Sequence, residues 1–376
     1  MQTIHSSAPG KLFLLGEYAV LEGAPALLTA VDRRVTVTLS TADADGWVLS
    51  APGLGITQLP LGSDGAVPES VDGATREKLR LFDAVRTTVA AALADNTAPL
   101  LPGHRGDNPA LSVSIDSSAL SMGTYKLGFG GSAAVAVALT AGLAKAYGLN
   151  LDRNALFVAA LTAHRLAQGP LGSGGDVATA LNGGLLSYAP DAIPTSSSAT
   201  SLKWPSDLTM MVVVTGTGSS TPELVGRVHD YARRDPSGYH ADLSRLAELA
   251  REAVPALDSA QSFMALAAEY FTALETLDSH ADAGIVSDRH RQLNALAARH
   301  RGVFKSSGAG GGDVGLAFAR SGAPARELAA ALTHANARIV SIGLGASGAQ
   351  LTTFHPDTNA DTLSGTTSAR TSRNFL

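Results

Sequence analysis

Residues 125–147 read YKLGFGGSAAVAVALTAGLAKAY, with three glycines at 128, 130 and 131 and a small, apolar helical run directly behind them. Glycine tolerates positive φ and lets backbone N–H groups approach an anion closely. A helix start adds unpaired N–H donors and the positive end of the helix dipole. Ser132 contributes a hydroxyl oxygen, a donor type that suits Mg²⁺. The stretch reads as a phosphate cradle; the alternative is a glycine turn capped by Ser132. It is not a GxxxxGK[ST] loop. It also lacks the acidic residue at a strand end about 20 positions on that marks a dinucleotide loop. Asn150–Asp152 fall near that distance, but after a helix.

Two more glycine-rich segments lie on either side of the chain's midpoint. Residues 163–176 read AHRLAQGPLGSGGD, a helix end, a Gly-Pro stop and a carboxylate, Asp176, before a second helix. Asp176 suits either a catalytic contact with a substrate hydroxyl or an N-cap. Residues 305–313 read KSSGAGGGD. Four glycines between 308 and 312 carry a large folding entropy cost, which favours a binding loop over a plain connection. Near the N-terminus, Lys11 follows Ala8-Pro9-Gly10 and precedes an apolar strand. It suits stabilisation of phosphoryl charge, or equally a strand-edge lysine whose stem lies on apolar surface.

Periodicity orders the remainder. Residues 1–40 are β-rich, with period-2 alternation in RRVTVTLS at 33–40. Leu79, Phe82, Val85, Val89 and Leu93 share one helical face. Residues 111–115 and 183–188 read as strands and 156–168 as a helix, with a connection at 190–206. A buried strand opens the second half at MMVVVTGTG, followed by long helices over 221–300. A helix starting at Pro324, a strand at 337–342 and a polar, loosely ordered tail from about 355 complete the pattern.

The chain has 376 residues, 45% of them hydrophobic and 16% charged, with net charge −5. That length suits two lobes around a sizeable core. The basic residues are scattered, so no nucleic-acid footprint is expected. Cysteine is absent, which excludes disulfides, thiolate metal sites and a cysteine nucleophile. No apolar run approaches the ~20 residues of a membrane span, and no leader pattern opens the sequence. A cytoplasmic protein without a membrane partner is the expectation.

Taken together and in this order, the segments resemble the GHMP kinase superfamily. The matching motifs are SAPGKLFLLGEY at 7–18, Gly128–Ala134 and Ser307–Asp313. The resemblance implies an α+β, two-lobed GHMP kinase fold. Its N-terminal lobe is like ribosomal protein S5 domain 2, over residues 1–190; its C-terminal lobe is ferredoxin-like, over 205–355; residues 356–376 form a polar tail. GEYAVLEG, AHRLAQGPLGSGGDVATALNGG and KSSGAGGGDVG are similar to the phosphomevalonate kinase branch. That branch implies ATP and Mg²⁺ as cofactors and mevalonate 5-phosphate as substrate, in a monomer or homodimer.

Residue roles follow by position. Lys11 and Asp176 match catalytic positions. Lys126, Gly128, Gly130, Gly131, Ser132 and Ala133 match the ATP-binding loop, with Ser132 also the metal ligand. Glu17, Tyr18, Ser173, Gly174, Ser307, Gly308 and Ala309 match substrate-binding positions. The usual loop carries paired serines, and here the first is Gly131. Mevalonate kinases carry a Mg²⁺-binding glutamate near the position of His164, and imidazole is a poor ligand for hard Mg²⁺; a buried, satisfied histidine is expected. A phosphate acceptor is already ionised near pH 7, so the site should be rich in cations, drawn from Lys11, Lys126, Arg165 and Lys305. Other readings are a mevalonate or sugar kinase and a non-catalytic sensor of the same fold.

Overall fold

The computed structural model describes residues 3–42, 45–94, 110–122, 125–169, 172–190, 199–216, 221–312, 314–354 and 371–375. The first lobe is built on two long antiparallel strands, β1 (Thr3–Leu15) and β2 (Ala26–Thr41). Between them the chain turns through Gly16 (φ 99°), Tyr18 (φ 63°) and a short 3₁₀ turn, Ala19–Glu22. The apolar run 11–21 is thus strand only to Leu15. A Cβ on Gly16 would lie 2.5 Å from the Ala26 Cα, so the chain can reverse this tightly only at glycine.

β3 (Val48–Ala51), β4 (Ile56–Pro60) and β5 (Leu111–Asp116) extend the sheet, with α1 (Gly73–Lys78) and α2 (Arg80–Ala94) between the last two. A small ribbon of β6 (Ser121–Met122) and β7 (Tyr125–Lys126) leads into α3 (Gly131–Ala146). Next come α4 (Arg153–Gln168), α5 (Gly175–Asn182), β8 (Leu185–Tyr188) and β9 (Ala199–Leu202). The sheet order is β15-β14-β1-β2-β5-β3-β4, with β8 on the other part of β2 and β9 beside β8. Helices α3 and α5 pack on β1 and β2, and α2 and α4 pack on α3. Alanine and glycine along α3 make this possible, since residues 133, 134 and 136–144 are all buried. β1 alternates up to Ser7 and is buried continuously from Ala8 to Leu12, where both of its faces are covered.

The second lobe starts at β10 (Leu208–Val214) and continues through α6 (Thr221–Arg234), α7 (Pro236–Arg251), α8 (Ala260–Ala281) and α9 (Asp288–Arg299). β11 (Val303–Ser306), β12 (Val314–Arg320), α10 (Ala323–His334) and β13 (Arg338–Val340) close it. Its antiparallel order β11-β12-β10-β13 is the split βαβ arrangement of a ferredoxin-like lobe. Pro324 sits in the first turn of α10, as expected.

The linear division into lobes needs correction at both ends. β14 (Gln350–Phe354) pairs with β1 in the first sheet, although the division at 205–355 assigns it to the second lobe. Bridges Val31–Leu344 and Gly183–Ser347 begin this return. β9 pairs with β8 inside the expected connection, and β15 (Thr371–Phe375) adds to β14 where a polar tail is expected. Residues 355–370 lie outside the described residues. Among the described residues, no helix is long and apolar enough to cross a membrane.

One buried histidine makes the second lobe sensitive to acid. His290 is fully buried, its Nδ1 accepts the Ser287 N–H at 3.2 Å, and its ring packs on Phe304. Burial is the largest cause and pushes its pKa from 6.5 down to about 4; the Lys305 and Arg291 charges add to it, while the backbone at Ile285 and the Asp278 charge oppose it. A depressed histidine stabilises the fold above its unfolded pKa and loses that contribution as pH falls through the folded one. Unfolding free energy should therefore drop between pH 6.5 and 4, by about 3 kcal/mol from this residue. His290→Phe should flatten that part of a urea-denaturation pH profile.

Candidate active site

The first and third glycine loops meet the second half of β1, and the helix that follows the second, α5, packs on the same strand. The Lys11 N–H donates to the Phe129 carbonyl at 2.9 Å, tying β1 to the phosphate loop. This approach excludes side chains, because a Cβ on Gly10 would lie 2.8 Å from the Phe129 oxygen. Gly130 has φ +67° and starts α3 without a side-chain cap, so the first N–H groups of that helix keep their donor capacity. A Cβ on Gly130 would stand 2.7 Å from Lys11 Cε; the lysine stem lies across the loop there. Lys11 is 9% exposed, and its ammonium lies 5.0 Å from the Phe13 ring centroid. Ser132 does not cap the helix. Its hydroxyl sits 3.0 Å from His164 Nε2 on α4.

The second loop is shaped from behind by Tyr188, whose hydroxyl donates to the Ser173 carbonyl at 2.9 Å. Gly174, at the N-cap of α5, is buried against Tyr188 and Leu161, so it sets the loop's path. Asp176 is half-buried in the first turn of α5, where its carboxylate accepts the Val177 N–H at 2.9 Å. The helix's N-cap is Gly174, so the capping reading of Asp176 does not hold. Arg165 donates to the Gly172 carbonyl at 3.2 Å, and its Nε is buried without a hydrogen-bond partner among the described residues.

The third loop is held by both lobes. Ser307 Oγ donates to the Phe13 carbonyl at 2.8 Å, and Tyr18 donates to the Ala309 carbonyl at 2.5 Å. Thr215 donates to the Gly312 carbonyl. Gly308, Gly310, Gly311 and Gly312 all have positive φ, and a Cβ on Gly310 would meet the Ile285 oxygen at 2.3 Å. Gly308 has nothing within 4 Å of its Cβ position, so the loop is open on that side.

Two expected substrate residues, Glu17 and Tyr18, and one expected phosphate cation, Lys305, lie at the junction of the lobes. Glu17 is 2% exposed and Lys305 is fully buried, with Lys305 Nζ 2.5 Å from Glu17 Oε1. Burial pushes the Lys305 ammonium down from its ordinary pKa, while Glu17 pulls it back up. Tyr270 donates to the Glu17 carbonyl at 2.8 Å. Tyr18 is 4% exposed, and burial, with Asp278 and Glu17 near it, pushes its phenol far up. Glu17, Tyr18 and Lys305 therefore lock β1 to the second lobe. Their contacts are with protein at this junction, where Glu17 Oε1 meets Lys305 and Glu17 Oε2 is buried without a hydrogen-bond partner among the described residues. The side chain of Lys126 and all of Asp313 lie outside the described residues.

The oxygen donors test the expected metal. Ser132 Oγ is the hydroxyl on the phosphate loop, and among the described residues no three His, Cys, Asp or Glu gather in a metal-binding cluster. Mg²⁺ commonly keeps waters and phosphate oxygens as ligands. The donors present fit a metal that arrives with a nucleotide.

Comparison with known proteins agrees with this geometry. Residues 88–184 match the family described as the GHMP kinases N terminal domain. A phosphomevalonate kinase of Streptomyces sp. (strain CL190) is 35% identical over 348 residues, covering 84% of this chain and 90% of that one. The chain belongs to the GHMP kinase family. Another relative, a mevalonate kinase of Aeropyrum pernix, is 28% identical over 256 residues, covering 67% and 70% of the two chains. A solved GHMP kinase fold, Streptococcus pneumoniae phosphomevalonate kinase in complex with phosphomevalonate and AMPPNP, aligns with TM-score 0.70 and 20% identity over 90% of this chain and 99% of that one. Of the GHMP residues matched by position, Lys11, Gly130, Ser132 and Ser307 come together around β1, and Asp176 lies on α5, which packs on the same strand.

The Glu17–Lys305 pair predicts a stability effect. Lys305→Met leaves a buried carboxylate unpaired and should lower the unfolding free energy by about 3–5 kcal/mol. The double variant Glu17→Leu/Lys305→Met should recover most of that loss. Urea denaturation of the two variants checks both expectations.

Proposed function

We propose that this GHMP kinase transfers the γ-phosphoryl group of ATP to the phosphate of mevalonate 5-phosphate, giving mevalonate 5-diphosphate and ADP. The observation that carries the kinase part is Lys11 lying across Gly130, at the uncapped start of α3. The acceptor part rests on the Streptomyces relative, which matches along most of the chain.

In this reading the residues have separate tasks. Backbone N–H groups at the start of α3 bind nucleotide phosphate, helped by the helix dipole. Mg²⁺, when bound with the nucleotide, neutralises phosphate charge, and Ser132 Oγ is the protein oxygen that would join its ligands. Lys11, held near Phe13 and largely out of water, supplies a fixed positive charge where charge moves in the transition state. An acceptor phosphate oxygen forms the new P–O bond as the bond to the ADP oxygen breaks. That acceptor is already ionised near pH 7, so no proton has to be removed. Asp176 then orients substrate or Lys11, and catalysis rests on positioning and charge neutralisation. Arg165, beside the second glycine loop, is the further cation available for the substrate's phosphate.

The Aeropyrum relative favours a second reading, with the mevalonate hydroxyl as acceptor and Asp176 as general base. A coupled ADP-release assay with mevalonate 5-phosphate, mevalonate and galactose separates the two. Turnover is expected with mevalonate 5-phosphate alone; turnover of mevalonate would remove the specific assignment. Lys11→Ala should lower kcat by roughly 100-fold or more while ATP affinity changes little. An unchanged kcat would take Lys11 out of the mechanism.

A further inference from the structure

The pair Ser132–His164 is not explained by folding needs alone. A serine in the first turn of a helix ordinarily turns its hydroxyl back onto local backbone. Ser132 instead reaches another helix, 32 residues away in sequence, and its Oγ lies 3.0 Å from His164 Nε2. It is also the single hydroxyl between Leu127 and Ala134. His164 is 8% exposed and lies on the buried face of α4, together with Leu161, Ala163 and Ala167. Packing of α4 against α3 fixes where the imidazole stands. The next residue, Arg165, holds the Gly172 carbonyl of the second loop. The end of α4 therefore touches two of the three glycine loops through consecutive side chains.

A serine side chain in a helix can take more than one staggered rotamer. Ser132 stands between Gly131 and Ala133 at the start of α3, where no side-chain cap bond holds its hydroxyl. We propose that His164 is a positioning residue, which selects one Ser132 rotamer and so presets the hydroxyl for a nucleoside triphosphate and its divalent cation. The imidazole engages one valence of the hydroxyl. If Nε2 accepts, the oxygen lone pairs stay available to a cation; if Nε2–H donates, the hydroxyl proton stays available to a phosphate oxygen. In both cases Ser132 meets the nucleotide already oriented, which lowers the ordering cost of binding.

This inference rests on the phosphate-loop reading, and not on the identity of the acceptor. The test is a double-mutant cycle on Ser132 and His164, read by calorimetric binding of Mg-ATP without acceptor and by kcat and KM for ATP. His164→Leu should weaken Mg-ATP binding roughly tenfold, the scale of one well-oriented hydrogen bond. His164→Gln places a hydrogen-bonding atom at the reach of Nε2 and should recover most of that loss. On the Ser132→Ala background, His164→Leu should cost nothing further. Equal losses from His164→Leu in both backgrounds would show the imidazole acting elsewhere and overturn the proposal. So would wild-type ATP binding in either single variant. Thermal melting of each variant separates these results from misfolding. If mevalonate 5-phosphate is not turned over but the binding cycle is non-additive, the acceptor assignment fails and the role of His164 stands.

Discussion

The ion pair between Glu17 and Lys305 is the contact on which the arrangement of the two lobes depends. Both side chains are out of water, at 2% and 0% exposure. Moving two charges into such a place is expensive, and a hydrophobic pair of similar size often serves stability equally well. What the pair adds is register. A carboxylate just past β1 and an ammonium on β11 can meet in one way, whereas two apolar faces can slide. Tyr270, which donates to the Glu17 carbonyl, and Tyr18, which donates to Ala309, fix the same junction from either side. The positive φ of Tyr18 is the local cost of that arrangement.

Once this junction is set, β1 becomes the common wall of the site. Its backbone carbonyl at Phe13 receives Ser307 of the third loop, and its N–H at Lys11 reaches Phe129 of the first. The first is made by a serine hydroxyl, the second by backbone directly on backbone. Glycine is needed at 10, where a Cβ would meet the Phe129 backbone, and at 130, where a Cβ would meet the Lys11 stem. The glycines that suggest phosphate binding thus have a second purpose. They let the first loop close on β1.

The same junction changes the inventory of charges available to a ligand. A site that brings two phosphorylated molecules together needs cations, and Lys305 looks suitable in sequence because it adjoins the third loop. Its ammonium is consumed by Glu17. In the proposed reaction, Lys11 and Arg165 would carry that task among the described side chains, with the start of α3 adding backbone donors. The chemistry then depends on orientation more than on proton transfer, which gives the contact of His164 with the phosphate-loop hydroxyl its significance.

By itself, the sequence determined what local pattern can encode. The three glycine loops, the helices at 131–146, 153–168 and 323–334, and the alternation along β2 are all legible, because φ freedom and periodicity act over a few residues. The family resemblance carried the order of lobes and the grouping of Lys11, Asp176 and the loops. Only the tertiary structure decided which polar groups meet. Glu17 and Lys305 are 288 residues apart, and Ser132 and His164 are 32 apart. Neither spacing has a period that points to the partner. The return of β14 to β1 is hidden for the same reason, since a strand's edge pairing depends on what lies beside it in space. Glu17 and Tyr18, which match substrate positions in sequence, also fasten the lobes, through Lys305 and the Ala309 carbonyl.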